Sequence, residues 1–204
     1  MFQVEWQKNL SALLEKSACL HLGVLFSGNG SNMQNLIEVF DGRSFWHPAS
    51  QQRVILKVKI CVSSRPKAYG ITRCAQLKMP CKVCQEEESL IQTLQGCDLI
   101  LLAGYMKILS AHFVQSFPTI NIHPSLLPYH KGKDAILKSF ESQEGMGVSV
   151  HWVDAQIDHG PLILQEALQR LPEDSLESFT QRVHALEQRL YPQALLQVLG
   201  LEFE

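Results

Sequence analysis

The chain has 204 residues, of which 46% are hydrophobic; this composition excludes an intrinsically disordered protein because enough apolar surface is present to offset the entropy lost on folding. A formal net charge of −2 without a Lys- or Arg-rich run disfavours a nucleic-acid-binding protein, and the longest apolar run, residues 99–106, is too short to cross a membrane. Six cysteines and an N-terminus unlike a signal peptide are typical of a cytoplasmic protein.

Hydrophobic periodicity predicts helices that alternate with strands along the chain. Residues 2–17 form an amphipathic helix pattern, residues 20–26 a buried strand and residues 33–40 a second helix. Further strands are predicted over residues 52–62, 81–84, 98–103, 119–122, 147–153 and 162–168, and further helices over residues 68–78, 86–94, 135–142 and 175–199, the last with a break at Pro192. This alternation predicts a single Rossmann-like α/β domain with a mostly parallel sheet, helices on both faces and two late antiparallel strands.

The first chemical motif is SGNGSN at residues 27–32, where the first strand turns into a helix. The glycines allow a tight turn, and the free N–H groups of the helix beside Ser31 and Asn32 suit a bound phosphate. The same side chains suit a helix cap without any ligand. The local pattern leaves both interpretations open.

The second motif contains Asn121 and His123 at the end of a predicted strand. Residues two apart on a strand face the same side, and here they would face the crevice where open α/β sheets bind ligands. Asn can donate a hydrogen bond to an oxyanion, and His can act as an acid or base near neutral pH. The alternative is that both side chains are satisfied by neighbouring loops.

The third motif, DAQIDHGP at residues 154–161, is a polar loop between two strands. A carboxylate from this loop close to His123 would hold the imidazole in place and raise its pKa. Asp154 and Asp158 both qualify, and the alternative is that both are solvated loop residues.

Cys81 and Cys84 have the spacing of a zinc or redox pair. Because no second pair follows at a matching distance, we expect ordinary thiols and no metal.

Four segments in order resemble the phosphoribosylglycinamide formyltransferase family: SGNGSN at 27–32, LLAGYMKILS at 101–110, NIHPSLLP at 121–128 and VDAQIDHGPLILQ at 153–165. The resemblance extends from about residue 20 to residue 192. It implies transfer of the formyl group of 10-formyltetrahydrofolate to the amine of 5'-phosphoribosylglycinamide in purine (IMP) biosynthesis, without a metal. It also implies an N-terminal helical extension over residues 1–19 and a formyltransferase domain over residues 20–204.

The resemblance also assigns roles to residues of this chain. Those that bind the ribonucleotide are Gly30, Ser31, Asn32, His184 and Glu187, and those that bind the folate are Met106, Lys107, Ile108, Leu109, Asn121, Val153 and Asp154. The catalytic residues are Asn121, His123 and Asp158, so the resemblance selects Asp158 over Asp154. Asn121 and a protonated His123 would stabilise the oxyanion, with a pKa of His123 above its ordinary value, while Asp158 would handle the proton.

The chain departs from the family pattern at three places. Ile136 stands where many members have a histidine, and the shortened segment 84–95 lacks an arginine, for which Lys107 or Arg65 would substitute. The N-terminal helix is additional, and we expect Trp6, Leu10 and Leu14 to pack it on the sheet or on a second subunit.

The alternative function is that of a formyltetrahydrofolate deformylase, whose motif differs from the His-Pro-Ser of this chain at residues 123–125. The protein is expected to be a monomer or a homodimer.

Overall fold

A computed structural model describes residues 2–203, with the side chains of residues 6–203. The helices are α1 (Phe2–Lys16), α2 (Ser31–Phe40), α3 (Gly70–Gln76), α4 (Glu87–Thr93), α5 (Ala111–Ser116), α6 (Ala135–Ser142) and α7 (Leu176–Leu199). The strands are β1 (Cys19–Phe26), β2 (Arg43–His47), β3 (Gln52–Ser63), β4 (Cys81–Val83), β5 (Leu99–Leu102), β6 (Thr119–His123), β7 (Gly147–Trp152) and β8 (Leu162–Ala167).

The strands form one sheet in the order β2-β3-β1-β5-β6-β7-β8, with β4 also paired to β3. The central pairs β3–β1, β1–β5 and β5–β6 are parallel, whereas β6–β7 and β7–β8 are antiparallel. All four residues of β5 are buried, because apolar clusters cover the sheet on both faces. The predicted α/β class, the mainly parallel sheet and the two late antiparallel strands are therefore confirmed.

Two short elements escape the hydrophobic pattern. Strand β2 pairs antiparallel with β3 and buries only Phe45 and His47 of its five residues, which leaves a weak apolar signal. Helix α5 has only six residues and begins where Ser110 accepts a hydrogen bond from the Phe113 amide at 3.2 Å.

The predicted break at Pro192 is wrong, because α7 continues through this residue. Proline has no N–H to donate to the carbonyl four residues earlier, which here belongs to Gln188. That carbonyl instead accepts a hydrogen bond from the Asn35 side chain of α2, with Nδ2 2.7 Å from the oxygen. A contact from another helix thus supplies the hydrogen bond that the proline removes.

Helix α1 packs against α7, and its apolar side chains join the larger of the two apolar clusters that cover the sheet. Leu10 and Leu14 are buried, Trp6 is half-buried, and the Gln52 side chain donates to the Leu14 carbonyl. Within residues 2–203, no helix is both long and apolar enough to cross a membrane.

Replacing Asn35 by Ala should lower the free energy of unfolding by about 1 kcal/mol, because the Gln188 carbonyl then loses the hydrogen bond from the Asn35 side chain. Urea titration of the purified variants measures this difference. Gln188→Ala is the control, since the exposed side chain of Gln188 takes no part in the contact. Equal stability of Asn35→Ala and the unmodified protein would contradict the proposed support of Pro192.

Candidate active site

Asn121, His123 and Asp158 meet at the carboxyl end of β6. The imidazole Nδ1 of His123 lies 3.3 Å from Asp158 Oδ2, and Asn121 Nδ2 lies 3.3 Å from Asp158 Oδ1. The side chains of His123 and Asp158 are only 5% and 10% exposed. Asp154 is engaged elsewhere, since its carboxylate pairs with His159 Nδ1 at 2.8 Å. Of the two candidate carboxylates, the structure therefore brings Asp158 to His123.

The carboxylate of Asp158 is held by several groups, and the residue adopts a positive φ of 48°. Burial alone would raise the pKa of Asp158, but the interaction with His151, the nearby His123 and the Gly132 amide together hold this pKa below its ordinary value. The Gly132 N–H donates to Asp158 Oδ2 at 2.8 Å. Asp158 is therefore ionised at neutral pH, although its side chain is largely buried.

His123 behaves differently from the sequence-based expectation. Burial lowers the pKa of this imidazole, and the neighbouring Asp158 and the hydrogen bond to the His130 carbonyl oppose burial only in part. This direction is the opposite of the expected pKa above the ordinary value. His123 donates its Nε2–H to the His130 carbonyl at 3.0 Å.

His151 is a site residue that the motifs did not indicate. Strand β7 places it directly opposite Asn121 in the antiparallel pair. Its Nε2 lies 3.1 Å from Asn121 Nδ2 and 3.5 Å from Asp158 Oδ1, and its side chain is 2% exposed. The strand alternation alone could not identify it, because every residue of β7 is buried.

The Gly-rich loop, residues 27–32, follows the parallel strand β1 and lies at the same edge of the sheet. Gly30 adopts a left-handed φ of 77° and begins α2 without any side-chain cap. A Cβ on Gly30 would lie 2.8 Å from the Gly70 Cα, so only glycine fits here. Because neither Ser31 nor Asn32 caps the helix, its first N–H groups remain available to an anion.

Arg73 of α3 is a second residue that sequence reasoning missed. Its guanidinium donates to the Asn29 carbonyl at 3.0 Å and to the Asn29 side chain at 2.8 Å. It also donates to the Gln34 side chain on α2. Arg73 therefore fixes the shape of the loop and adds a positive charge beside it.

Glu187 of α7 lies next to this loop and is 6% exposed. Burial raises the pKa of Glu187 to about 7, and a hydrogen bond with Asn32 opposes this rise only in part. His184 is exposed on the same helix, and partial burial lowers its pKa. The structure thus brings Glu187 directly to the loop and leaves the His184 side chain at the surface.

The segment expected to line a folate pocket follows β5. Met106 and Ile108 are 52% and 70% exposed, whereas Leu109 is buried. The Met106 amide donates to Ser27 Oγ at 2.8 Å, which connects this segment to the Gly-rich loop. Lys107 donates to the Gln85 carbonyl of the shortened segment.

The remaining expected residues occupy varied positions. Val153 is half-buried against the second apolar cluster, Ile136 packs against the main core, and Arg65 is exposed. All six cysteines are free thiols. No group of three or more metal-ligating side chains occurs in the part of the chain that the structure describes.

The chain is similar to known proteins along most of its length. Residues 21–195 match the formyl transferase family. The phosphoribosylglycinamide formyltransferase of Bacillus subtilis (strain 168) is 35% identical over 184 residues, which are 87% of this chain and 94% of that protein. A trifunctional purine biosynthetic protein of Drosophila melanogaster is 35% identical over 193 residues, which cover 88% of this chain and only 14% of that protein.

Solved structures show the same relationship. The phosphoribosylglycinamide formyltransferase from Campylobacter jejuni superposes with a TM-score of 0.81 at 32% identity, covering 90% of this chain and 99% of that chain. The one from Streptococcus pneumoniae TIGR4 gives a TM-score of 0.75 at 32% identity, covering 86% of this chain and 97% of that chain.

Replacing Glu187 by Gln tests the buried acid. With a folded-state pKa near 7 instead of 4.5, the native protein holds a proton that the unfolded chain has released, so its stability falls as the pH rises through this window. The Gln side chain has no proton to release, so the stability of the variant does not fall in this way. The free energy of unfolding of the variant minus that of the unmodified protein should therefore rise by roughly 3 kcal/mol from pH 4.5 to pH 8.

Urea unfolding at the two pH values measures the change, with Glu177→Gln as the control for removing an exposed acid from the same helix. A stability difference that is the same at both pH values would show that Glu187 is not held as a neutral acid.

Proposed function

The chain belongs to the phosphoribosylglycinamide formyltransferase family, and we propose that it transfers the formyl group of 10-formyltetrahydrofolate to the amine of 5'-phosphoribosylglycinamide. The observation that carries this proposal is the buried cluster of Asn121, His123 and Asp158 at the same sheet edge as the uncapped Gly-rich loop. The reaction is a step of purine biosynthesis. Six free thiols also support a cytoplasmic location.

The ribonucleotide phosphate would bind at the amino end of α2. Gly30, Ser31 and Asn32 offer backbone N–H groups there, and Arg73 adds a positive charge. A carboxylate beside a phosphate would repel it, but the raised pKa of Glu187 keeps much of this side chain neutral near pH 7. Glu187 can therefore donate a hydrogen bond to the ribonucleotide, and the exposed His184 would lie at the rim of the site.

The folate would lie beside Met106–Leu109, where exposed apolar side chains form a surface that suits a flat ring. Asn121 and the loop 153–158, which includes Val153 and Asp154, would line the other side of the folate ring. Asp154 would contribute by holding the shape of this loop, because its carboxylate accepts a hydrogen bond from the Gln156 amide at 2.8 Å and pairs with His159.

Formyl transfer begins when the amine attacks the formyl carbon and negative charge develops on the formyl oxygen. Asn121 Nδ2 and His123 Nε2 supply the hydrogen bonds for this oxygen, a contribution of roughly 3–4 kcal/mol for each well-placed donor. Both donors bond within the protein, Asn121 to Asp158 and His123 to the His130 carbonyl. The substrate must therefore take the place of these protein acceptors.

Asp158 controls the charge during this step. Burial lowers the pKa of His123, while the Asp158 carboxylate raises it. As the oxyanion develops, it adds to the effect of Asp158 and raises this pKa further, which keeps the Nε2–H on the ring as a hydrogen-bond donor. The proton lost by the attacking amine then passes by way of Asp158 and water to the leaving N10 atom.

Asp158→Asn should lower kcat by about 100-fold or more while it changes KM for the ribonucleotide by less than about 3-fold, because the amide retains the shape but not the charge. Steady-state kinetics with varied ribonucleotide measures both constants. Asp98→Asn is the matched control, since Asp98 pairs with His21 at the opposite end of the sheet. Equal losses in kcat and in ribonucleotide binding would mean that Asp158 is structural.

The function itself is tested by the absorbance change of a 10-formyl folate with and without 5'-phosphoribosylglycinamide. Release of the folate that depends on the ribonucleotide supports the transferase. Release at the same rate without it, with free formate, would indicate the deformylase, which the similarity to phosphoribosylglycinamide formyltransferases does not favour.

A further inference from the structure

We infer that His130 is a positioning residue, whose imidazole anchors the loop 129–132 so that the backbone of this loop holds both His123 and Asp158. The effect on catalysis rests on the proposed function, whereas the effect on the two side chains does not. No sequence motif indicated His130.

The loop touches both members of the pair. The His130 carbonyl accepts the Nε2–H of His123 at 3.0 Å, and the Gly132 amide donates to Asp158 Oδ2 at 2.8 Å. These two backbone groups are two residues apart, and each bonds one member of the pair whose atoms lie 3.3 Å apart. A movement of this short segment would therefore change both contacts together.

The side chain of His130 fixes this segment to the chain that follows α6. Its Nε2–H donates to the Glu144 carbonyl at 3.0 Å, with Ser142 Oγ 3.2 Å away as a second polar neighbour. The same two segments also meet where the Leu126 amide donates to the Gly145 carbonyl at 2.8 Å. The imidazole therefore supplies a side-chain hydrogen bond between the loop and its support, beside the packing of Tyr129 near Gly145.

The backbone of His130 shows why an anchor is needed. Its φ of 50° lies in the left-handed region, which is unfavourable for a residue with a Cβ. Strained backbone of this kind persists where surrounding contacts hold it, and it is frequent at functional sites. The carbonyl reaches His123 from this strained conformation.

Loss of the anchor has a defined electrostatic direction. The groups that face His123 are Asp158, His151 and His130: the Asp158 carboxylate and the His130 carbonyl raise the pKa of His123, whereas the imidazoles of His151 and His130 lower it. The Gly132 amide lowers the pKa of Asp158. A displaced loop would therefore lower the pKa of His123 further and raise that of Asp158, which weakens the charged pair.

The experiment compares His130→Gln with His130→Phe in the full-length protein. Gln places an N–H donor at about the reach of the imidazole Nε2, whereas Phe fills similar space without a donor, and both share the left-handed backbone. We expect kcat of His130→Gln within about 3-fold of the unmodified enzyme and kcat of His130→Phe about tenfold lower, with KM for the ribonucleotide unchanged.

NMR titration of the His123 imidazole supplies a readout that needs no activity. Both substitutions remove the His130 imidazole, which itself lowers the pKa of His123, so the comparison between them isolates the anchor: the pKa should be lower in His130→Phe than in His130→Gln. Lys131→Ala, which alters only an exposed side chain of the loop, should leave both readouts unchanged. Equal behaviour of the Gln and Phe variants, whether both normal or both impaired, would overturn the role of His130. Absence of formyl transfer in the unmodified protein would instead overturn the proposed function, and the titration would still decide the positioning role.

Discussion

The buried negative charge of Asp158 is the constraint around which the candidate active site is organised. An ionised carboxylate that is 10% exposed requires hydrogen bonds to replace water. Two come from the Asn121 side chain and the Gly132 amide, and the imidazoles of His123 and His151 lie 3.3 and 3.5 Å from the carboxylate. The same contacts hold Asn121, one of the donors in the proposed reaction.

The burial that makes these interactions strong also has a cost, because it lowers the pKa of His123. An imidazole whose pKa is lowered therefore lies beside an ionised carboxylate. In the proposed reaction such a pair would stabilise charge as it appears, without a buried positive charge beforehand. The His130 carbonyl orients the ring of His123 through its hydrogen bond, and Asp158 would raise the pKa of this ring as the oxyanion develops.

The Gly-rich loop uses the opposite solution for a buried acid. Burial raises the pKa of Glu187 to about 7, so that much of this side chain keeps its proton where Asp158 has lost its own. In the proposed function the neutral carboxyl group lies beside the phosphate, whereas the ionised one lies at the reacting centre. The two acids thus differ because their surroundings differ.

The sequence by itself determined the alternation of helices and strands, the parallel central sheet and the motifs, because hydrophobic periodicity and glycine positions are local properties. It placed Asn121 and His123 on one strand face, and family resemblance selected Asp158. Only the tertiary structure brought in His151 and Arg73, which lie 30 and 44 residues from their partners Asn121 and Asn29. His130 is only seven residues from His123, but its role depends on how the loop 129–132 folds back on His123 and on the chain after α6. The continuity of α7 through Pro192 depends likewise on Asn35, 153 residues away from Gln188.

The tertiary structure also decided the pKa directions of His123 and Glu187, because burial is a property of the packed fold and not of neighbouring residues.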